Sequence, residues 1–262
     1  MNKTFNEFCH YKFKLGFTLA EVLITLGIIG VVAAITIPTL ISNYQKIVWT
    51  NQLKKSYATL QQAFKRMLAD DGVDLLSQTE VFSSMICEWG PNGPGRPYYN
   101  CKETLGKYLK ILSVQSLNNY KMELLNGGYV GLMTYGVANP YRYNVIILAD
   151  GSHLAVFGFS QQSTRPDGIM HGRIGSFYLD VNGAKGPNIV GRDIFKFYLG
   201  DDGILYPVGS KEVSMFDSYP WPPSTNMQWN KTTNAGYSCV LDKISYGDGC
   251  AARVLEEGKM NY

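Results

Sequence analysis

One carboxylate stands almost alone in the apolar run from Lys14 to Pro38: Glu21, near its start. A charged side chain at the centre of a membrane helix costs about 2.5–3.5 kcal/mol on insertion scales, and no basic residue follows Glu21 within the run to pair with it. Two opposite charges buried together offset part of each other's desolvation, whereas a carboxylate alone is heavily penalised. Thiols are the second candidate chemistry. Four of the five cysteines fall into two short-range pairs, Cys87 with Cys101 and Cys239 with Cys250, while Cys9 precedes the apolar run. Four thiols permit three connectivities. The spacing favours these two pairs, each closing a short loop that the loop-entropy model values at about 3 kcal/mol. A zinc site made by the four thiols is disfavoured because no C-x-x-C pair is present.

Oxygen ligands are the third. Asp180-Val181-Asn182-Gly183 begins like a calcium loop, but its fifth and twelfth positions, Ala184 and Gly191, carry no ligand side chain. A strand closing on an Asn-Gly turn is the plainer reading. His153 and His171 sit in no two-histidine zinc spacing and read as surface or hairpin residues. No Gly-x-Ser-x-Gly, Walker loop or Gly-x-Gly-x-x-Gly occurs, so no enzyme and no cofactor are expected. Eighteen tyrosines could stack on the bases of single-stranded DNA, but no concentrated basic face accompanies them. The ordinary place of Tyr in sheets and interfaces is the simpler account.

The elements that must position these groups begin with the apolar run. Residues 17–37 make a helix of about 31 Å, enough to cross a bilayer's hydrocarbon core. Lys3, Lys12 and Lys14 outweigh Glu7 on its N-terminal side, which the positive-inside rule assigns to the cytoplasm. The remainder of the chain is nearly neutral. A secretory signal cut near Ala33-Ala34 and an ordinary signal anchor both fit the run, but both merely tolerate Glu21.

A third reading accounts for it. Gly16-Phe17-Thr18-Leu19-Ala20-Glu21 resembles the prepilin processing site of type IV pilins and type II secretion pseudopilins. The resemblance implies that a prepilin peptidase removes 1–16 as a cytoplasmic leader, cutting after Gly16 and methylating Phe17. Glu21, fifth in the mature chain, then meets the N-terminal amine of a neighbouring subunit. Pro38 matches a proline found in many mature pilins. The leader is longer than is usual where the mature chain begins with phenylalanine. Removing it takes Cys9 away and leaves four cysteines, as an exported, oxidised body would have. The second cysteine pair falls where many pilins carry a disulfide-bounded loop, and would pin the residues after Cys250 against the sheet. Leu179–Leu199 is also similar to segments of pilin-like proteins, some of which bind calcium; this makes Asp180, Asn182 and Asp193 candidate calcium ligands.

Beyond Pro38 the pattern turns amphipathic. Ile41, Tyr44, Val48, Leu53, Tyr57, Leu60, Phe64 and Met67 recur mostly at three- or four-residue steps, with Lys46, Lys54, Gln61 and Lys65 among the polar residues between them. Asp70-Asp71-Gly72 reads as a stop. One helix over 17–69 is expected, roughly 80 Å long, kinked or loosened at Pro38. Its first half, 17–38, is a membrane and assembly segment; 39–70 is the amphipathic continuation; 71–262 is the head. Strands are expected at Tyr143–Leu148 and His153–Phe159, joined around Asp150-Gly151, and at Ser176–Val181, Ile194–Tyr198 and Ile204–Val208. Residues 73–127 carry no clear element, and 216–235 read as a long ordered loop. The fold class is α+β, a long N-terminal helix packed on an antiparallel sheet.

The function expected from the resemblance is a structural filament subunit serving pili, secretion or DNA uptake. Its implied partners are related pilin subunits, the prepilin peptidase, an inner-membrane assembly platform and membrane lipid before assembly. The implied location is a single pass through the inner membrane with the head outside the cytoplasm, then a surface or periplasmic filament. A membrane-anchored minor pilin acting as tip adhesin or DNA receptor is the competing class.

Overall fold

A computed structural model describes residues 16–84, 101–116, 122–128, 144–159, 173–215, 229, 238–240 and 245–262. The residues before Gly16 expected to form a leader, with Cys87, Tyr143, His171 and nearly all of the expected 216–235 loop, lie outside the described residues. The chain falls into two units, one up to Gln45 and one from Lys46 to Tyr262.

Helix α1 runs over Leu19–Asp71, 53 residues. In the first unit it is apolar and exposed: Leu19, Leu23, Ile24, Ile28, Ile35 and Leu40 all face outward. By length and composition this part of α1 can cross a membrane. Pro38 lies inside the helix, which continues through it. Gly72 ends it, taking φ of 64° while the Val73 N–H reaches back to the Leu68 carbonyl at 3.1 Å. That six-to-one bond around a left-handed glycine is the Schellman stop.

In the second unit α1 packs on an antiparallel six-stranded sheet. Its strands are β1 (Ile111–Ser116), β2 (Asn144–Leu148), β3 (His153–Phe159), β4 (Arg173–Asp180), β5 (Ile194–Gly200) and β6 (Leu205–Pro207), arranged in sequence order. Short helices α2 (Glu80–Ser84) and α3 (Cys101–Leu105) precede the sheet, and α4 (Cys250–Glu257) follows it. The register sets Ile146 opposite Leu154, Leu154 opposite Leu179 and Leu179 opposite Phe195. Successive strand residues point to opposite faces, so these side chains share one face. There they join Leu53, Leu60, Phe64 and Met67 of α1 and Ala251 and Val254 of α4 in the main core. The other face is apolar too, with Val145, Ala155, Tyr178 and Ile194 packed against Met122 and Val190. Being covered on both sides explains why Phe177-Tyr178-Leu179 of β4 and Phe197-Tyr198-Leu199 of β5 are consecutive apolar residues.

The strands differ from the expected ranges only at their ends. Four of these elements were not foreseen: α2, α3, β1 and α4. Within the helical stripe, Leu53, Leu60, Phe64 and Met67 are buried and Tyr57 is half-buried, but Ile41 and Tyr44 are exposed. Three residues assigned to the polar side instead bind other segments. Gln61 donates to the Gly203 carbonyl at 2.7 Å and accepts the Leu205 N–H at 2.8 Å, Lys54 donates to the Gly258 carbonyl, and Lys46 to that of Tyr262 at 2.6 Å. Their helical spacing puts them on one side of α1, where edge strand β6 and the C-terminal segment would otherwise show bare backbone.

Candidate processing and assembly site

Gly16, Phe17 and Thr18 precede the helix and are exposed. The Thr18 N–H and hydroxyl donate to Glu21 Oε2 at 2.8 and 2.7 Å, and the Glu21 N–H returns to the Thr18 hydroxyl at 3.2 Å. This is the reciprocal capping box that T-x-x-E encodes: two orphan N–H groups are satisfied, and an acid sits at the positive end of the helix. Helix formation therefore stops two residues after the Gly16–Phe17 bond. The sequence reading found Glu21 and missed Thr18, although the three-residue spacing is itself the signal.

Lower in the same segment, Thr25 and Thr36 donate to the carbonyls of Val22 and Val32 at 3.0 and 2.9 Å, so their hydroxyls add no bare polar group to an apolar surface. Glu21 is then the one acid in the first turn of an otherwise uncharged apolar stretch.

The second candidate region is the C-terminal turn. Cys239 and Cys250 form a disulfide and both are fully buried. Cys101 opens α3, but its expected partner Cys87 lies outside the described residues. The turn at Ser245–Gly249 just before α4 is held by charge. Asp248 accepts from Lys196 Nζ at 2.7 Å and from the Tyr178 hydroxyl at 2.8 Å. Burial pulls the Lys196 ammonium down, but Asp248 and two tyrosines outweigh it and hold it above its ordinary range. Burial, and then Asp248, push the Tyr178 phenol well up. Neither Lys196 nor Asp248 stood out in the sequence.

The third region is the turn between β4 and β5. Asp180 and Asp193 are buried near each other, and the side chain of Asn182 bonds to Asp193. Asp180 accepts the Asn182 N–H at 3.1 Å; Asp193 accepts those of Asn188 and Ile189 at 2.9 and 2.7 Å. Burial, then the Asp193 charge, push the Asp180 carboxyl up to about 8. The amide oxygens of Asn182 and Asn188 are buried without a hydrogen-bond partner. The expected Asn-Gly turn is present, with Gly183 at φ of 67°, and the three candidate calcium ligands are together. Carboxyl and amide oxygens are the donors a hard cation takes, and a cation here would have to displace the proton that burial favours on Asp180. Among the described residues, no three His, Cys, Asp or Glu side chains form a metal-holding group. His153 is a hairpin residue, as expected: it opens β3 opposite Ile147, half-buried against this turn, and burial lowers it.

Residues 12–37 match the family model described as the prokaryotic N-terminal methylation motif. The chain thus carries the signature of type IV pilins and pseudopilins, confined to its N-terminal part. No curated protein and no solved structure matches the chain.

Proposed function

We propose that this chain is a type IV pilin-like or pseudopilin-like structural subunit, inserted in the membrane by the first half of α1, processed between Gly16 and Phe17, and assembled into a filament through Glu21. One observation carries the reading: the methylation motif spans 12–37 and coincides with an exposed apolar helix whose first turn holds its single acid. The peptidase's substrate would be the extended residues ahead of the Thr18 cap. The new amine at Phe17 would then lie at the edge of the apolar segment, where a neighbour's Glu21 can neutralise it. Intact mass and N-terminal sequencing of the mature protein test the reading. An N-methylated Phe17 is expected; a terminus near Ala34, or an uncut Met1, overturns it.

Calcium at the β4–β5 turn belongs to the same proposal. Asp180, Asn182 and Asp193 would hold it, and its charge would relieve two carboxylates that burial sets against each other.

A further inference from the structure

The Cys239–Cys250 disulfide closes a turn that is already docked by other means. Two residues before Cys250, Asp248 binds Lys196 and Tyr178, which face each other in register on β5 and β4. The pair is largely sheltered, with side chains 23% and 12% exposed. The Lys196 ammonium lies 5.3 and 5.9 Å from the ring centres of Tyr178 and Tyr198, so aromatic faces complete its surroundings. Gly191 also lies close to the sulfur: a Cβ placed there would come 2.9 Å from Cys250 Sγ. Cys239 is fixed independently, its N–H donating to the Trp229 carbonyl at 3.0 Å and its carbonyl accepting from Arg253 at 2.6 Å. Arg253 is stacked between the Trp229 and Tyr262 rings, 5.0 and 5.1 Å from their centres.

Reduction of such a bond has a steric requirement. An external thiolate must attack one sulfur; the S–S bond breaks, the electron pair leaves on the other sulfur, and a second thiol of a dithiol reductant closes its own disulfide. Both cysteines are fully buried, so attack waits for the turn to leave the sheet. On the Cys250 side the strongest polar anchor is the charge pair. A buried pair gives little net stability, but removing one partner strands the other in low dielectric. Its contribution is therefore to position the turn.

We propose that the buried Lys196–Asp248 pair, braced by Tyr178, is the latch that seals the Cys239–Cys250 disulfide against external thiols, so that the bond is reduced only when Asp248 lifts off the sheet. The latch makes the lifetime of this disulfide depend on how rarely the turn opens. This inference is independent of filament assembly.

The test is the reduction rate of this bond in the full chain in detergent, with dithiothreitol as reductant and alkylation plus peptide mapping of Cys239 and Cys250 as readout. Wild type should resist reduction under native conditions. Asp248→Asn should be reduced at least tenfold faster, and Tyr178→Phe, which removes one hydroxyl, several-fold faster. The exposed hairpin variant Asp150→Asn should match wild type. Amide exchange at Leu154 on β3 should not change in Tyr178→Phe, which separates opening of the turn from loosening of the whole head. Equal rates in wild type and Tyr178→Phe, rapid reduction of wild type, or an acceleration matched by faster exchange at Leu154 overturns the latch. If Asp248→Asn does not fold, Tyr178→Phe decides alone.

Discussion

The carboxylate of Glu21 takes both the backbone N–H and the hydroxyl of Thr18, so the acid of the apolar segment is satisfied within its own chain. Under the proposed function Glu21 would have a second role that the same oxygens can serve. Alone, it caps the helix; beside a neighbour, it can accept a cationic amine, since a carboxylate has about four lone-pair sites and the box uses one oxygen.

Glu21→Val is therefore expected to insert and fold yet to enter filaments poorly. The lost cap should cost about 1 kcal/mol at the helix start. Incorporation should drop roughly tenfold or more, because each 1.4 kcal/mol of lost pairing is a factor of ten. Immunoblots of sheared filaments, normalised to membrane-inserted subunit, measure it. Normal incorporation of the valine form removes the pairing role.

Gln61→Leu keeps the volume of the side chain but strands the Leu205 N–H and the Gly203 carbonyl at the edge of the sheet. Two backbone groups lose their bonds, and the expected loss is about 2 kcal/mol. Urea unfolding of the full chain in detergent should show it as a lower midpoint at constant slope. The exposed neighbour Lys65→Ala should shift stability by no more than about 0.5 kcal/mol. Equal effects of the two would mean that the helix is held by its apolar face alone.

If calcium binds the β4–β5 turn, millimolar calcium should raise the thermal midpoint of the head relative to EDTA. A ligand at 100 times its Kd stabilises by about 2.7 kcal/mol. Asp193→Asn should abolish the shift. No calcium-dependent shift in wild type withdraws the calcium proposal and leaves Asp180 and Asp193 as clamps on backbone N–H groups.

Alkaline pH should destabilise the head. Burial pushes the phenols of Tyr178 and Tyr262 above the ordinary tyrosine range; Asp248 adds to the first, while Arg253 and Arg192 partly oppose the second. A raised pKa means the folded state keeps protons that the unfolded state releases above about pH 10, so stability falls as pH rises from there. Lys196, also raised, acts in the same direction: its contribution is full below the unfolded lysine value and is lost as pH climbs toward the folded one. Urea midpoints should be level up to about pH 9 and decline by about pH 11. Tyr262→Phe should flatten the decline; an unchanged slope would count against its burial.

Local patterns carried much of this protein in the open. The T-x-x-E cap at Thr18, the Asp71-Gly72 stop and the Asp150-Gly151 hairpin each act over a few residues, so spacing alone revealed the last two and encoded the first. The hairpin shows why. The Gly151 N–H returns to the Leu148 carbonyl at 3.0 Å and Asp150 accepts from Ser152, contacts that need no other part of the chain. The helical stripe was legible for Leu53 to Met67 for the same reason. It failed for Gln61 and Lys54, whose polarity says they avoid the core but not which backbone they meet.

Tertiary structure decided the rest. Strand β1 is a short run, Ile-Leu-Ser-Val-Gln-Ser, whose weak alternation becomes a strand only by pairing with β2. Helix α4 is eight residues, too short to stand alone in water; it forms because Ala251 and Val254 bury in the core and the disulfide holds its first turn. The pairings of Lys196 with Asp248, and of Gln61 with Gly203 and Leu205, join residues far apart in the chain. Periodicity records which side of an element is apolar, but not which distant element will cover it. The sequence alone thus determined the apolar N-terminal segment, its acid and the helix-then-sheet order. Only the folded chain, by bringing remote groups into one low-dielectric place, decided which charges pair and what seals the disulfide.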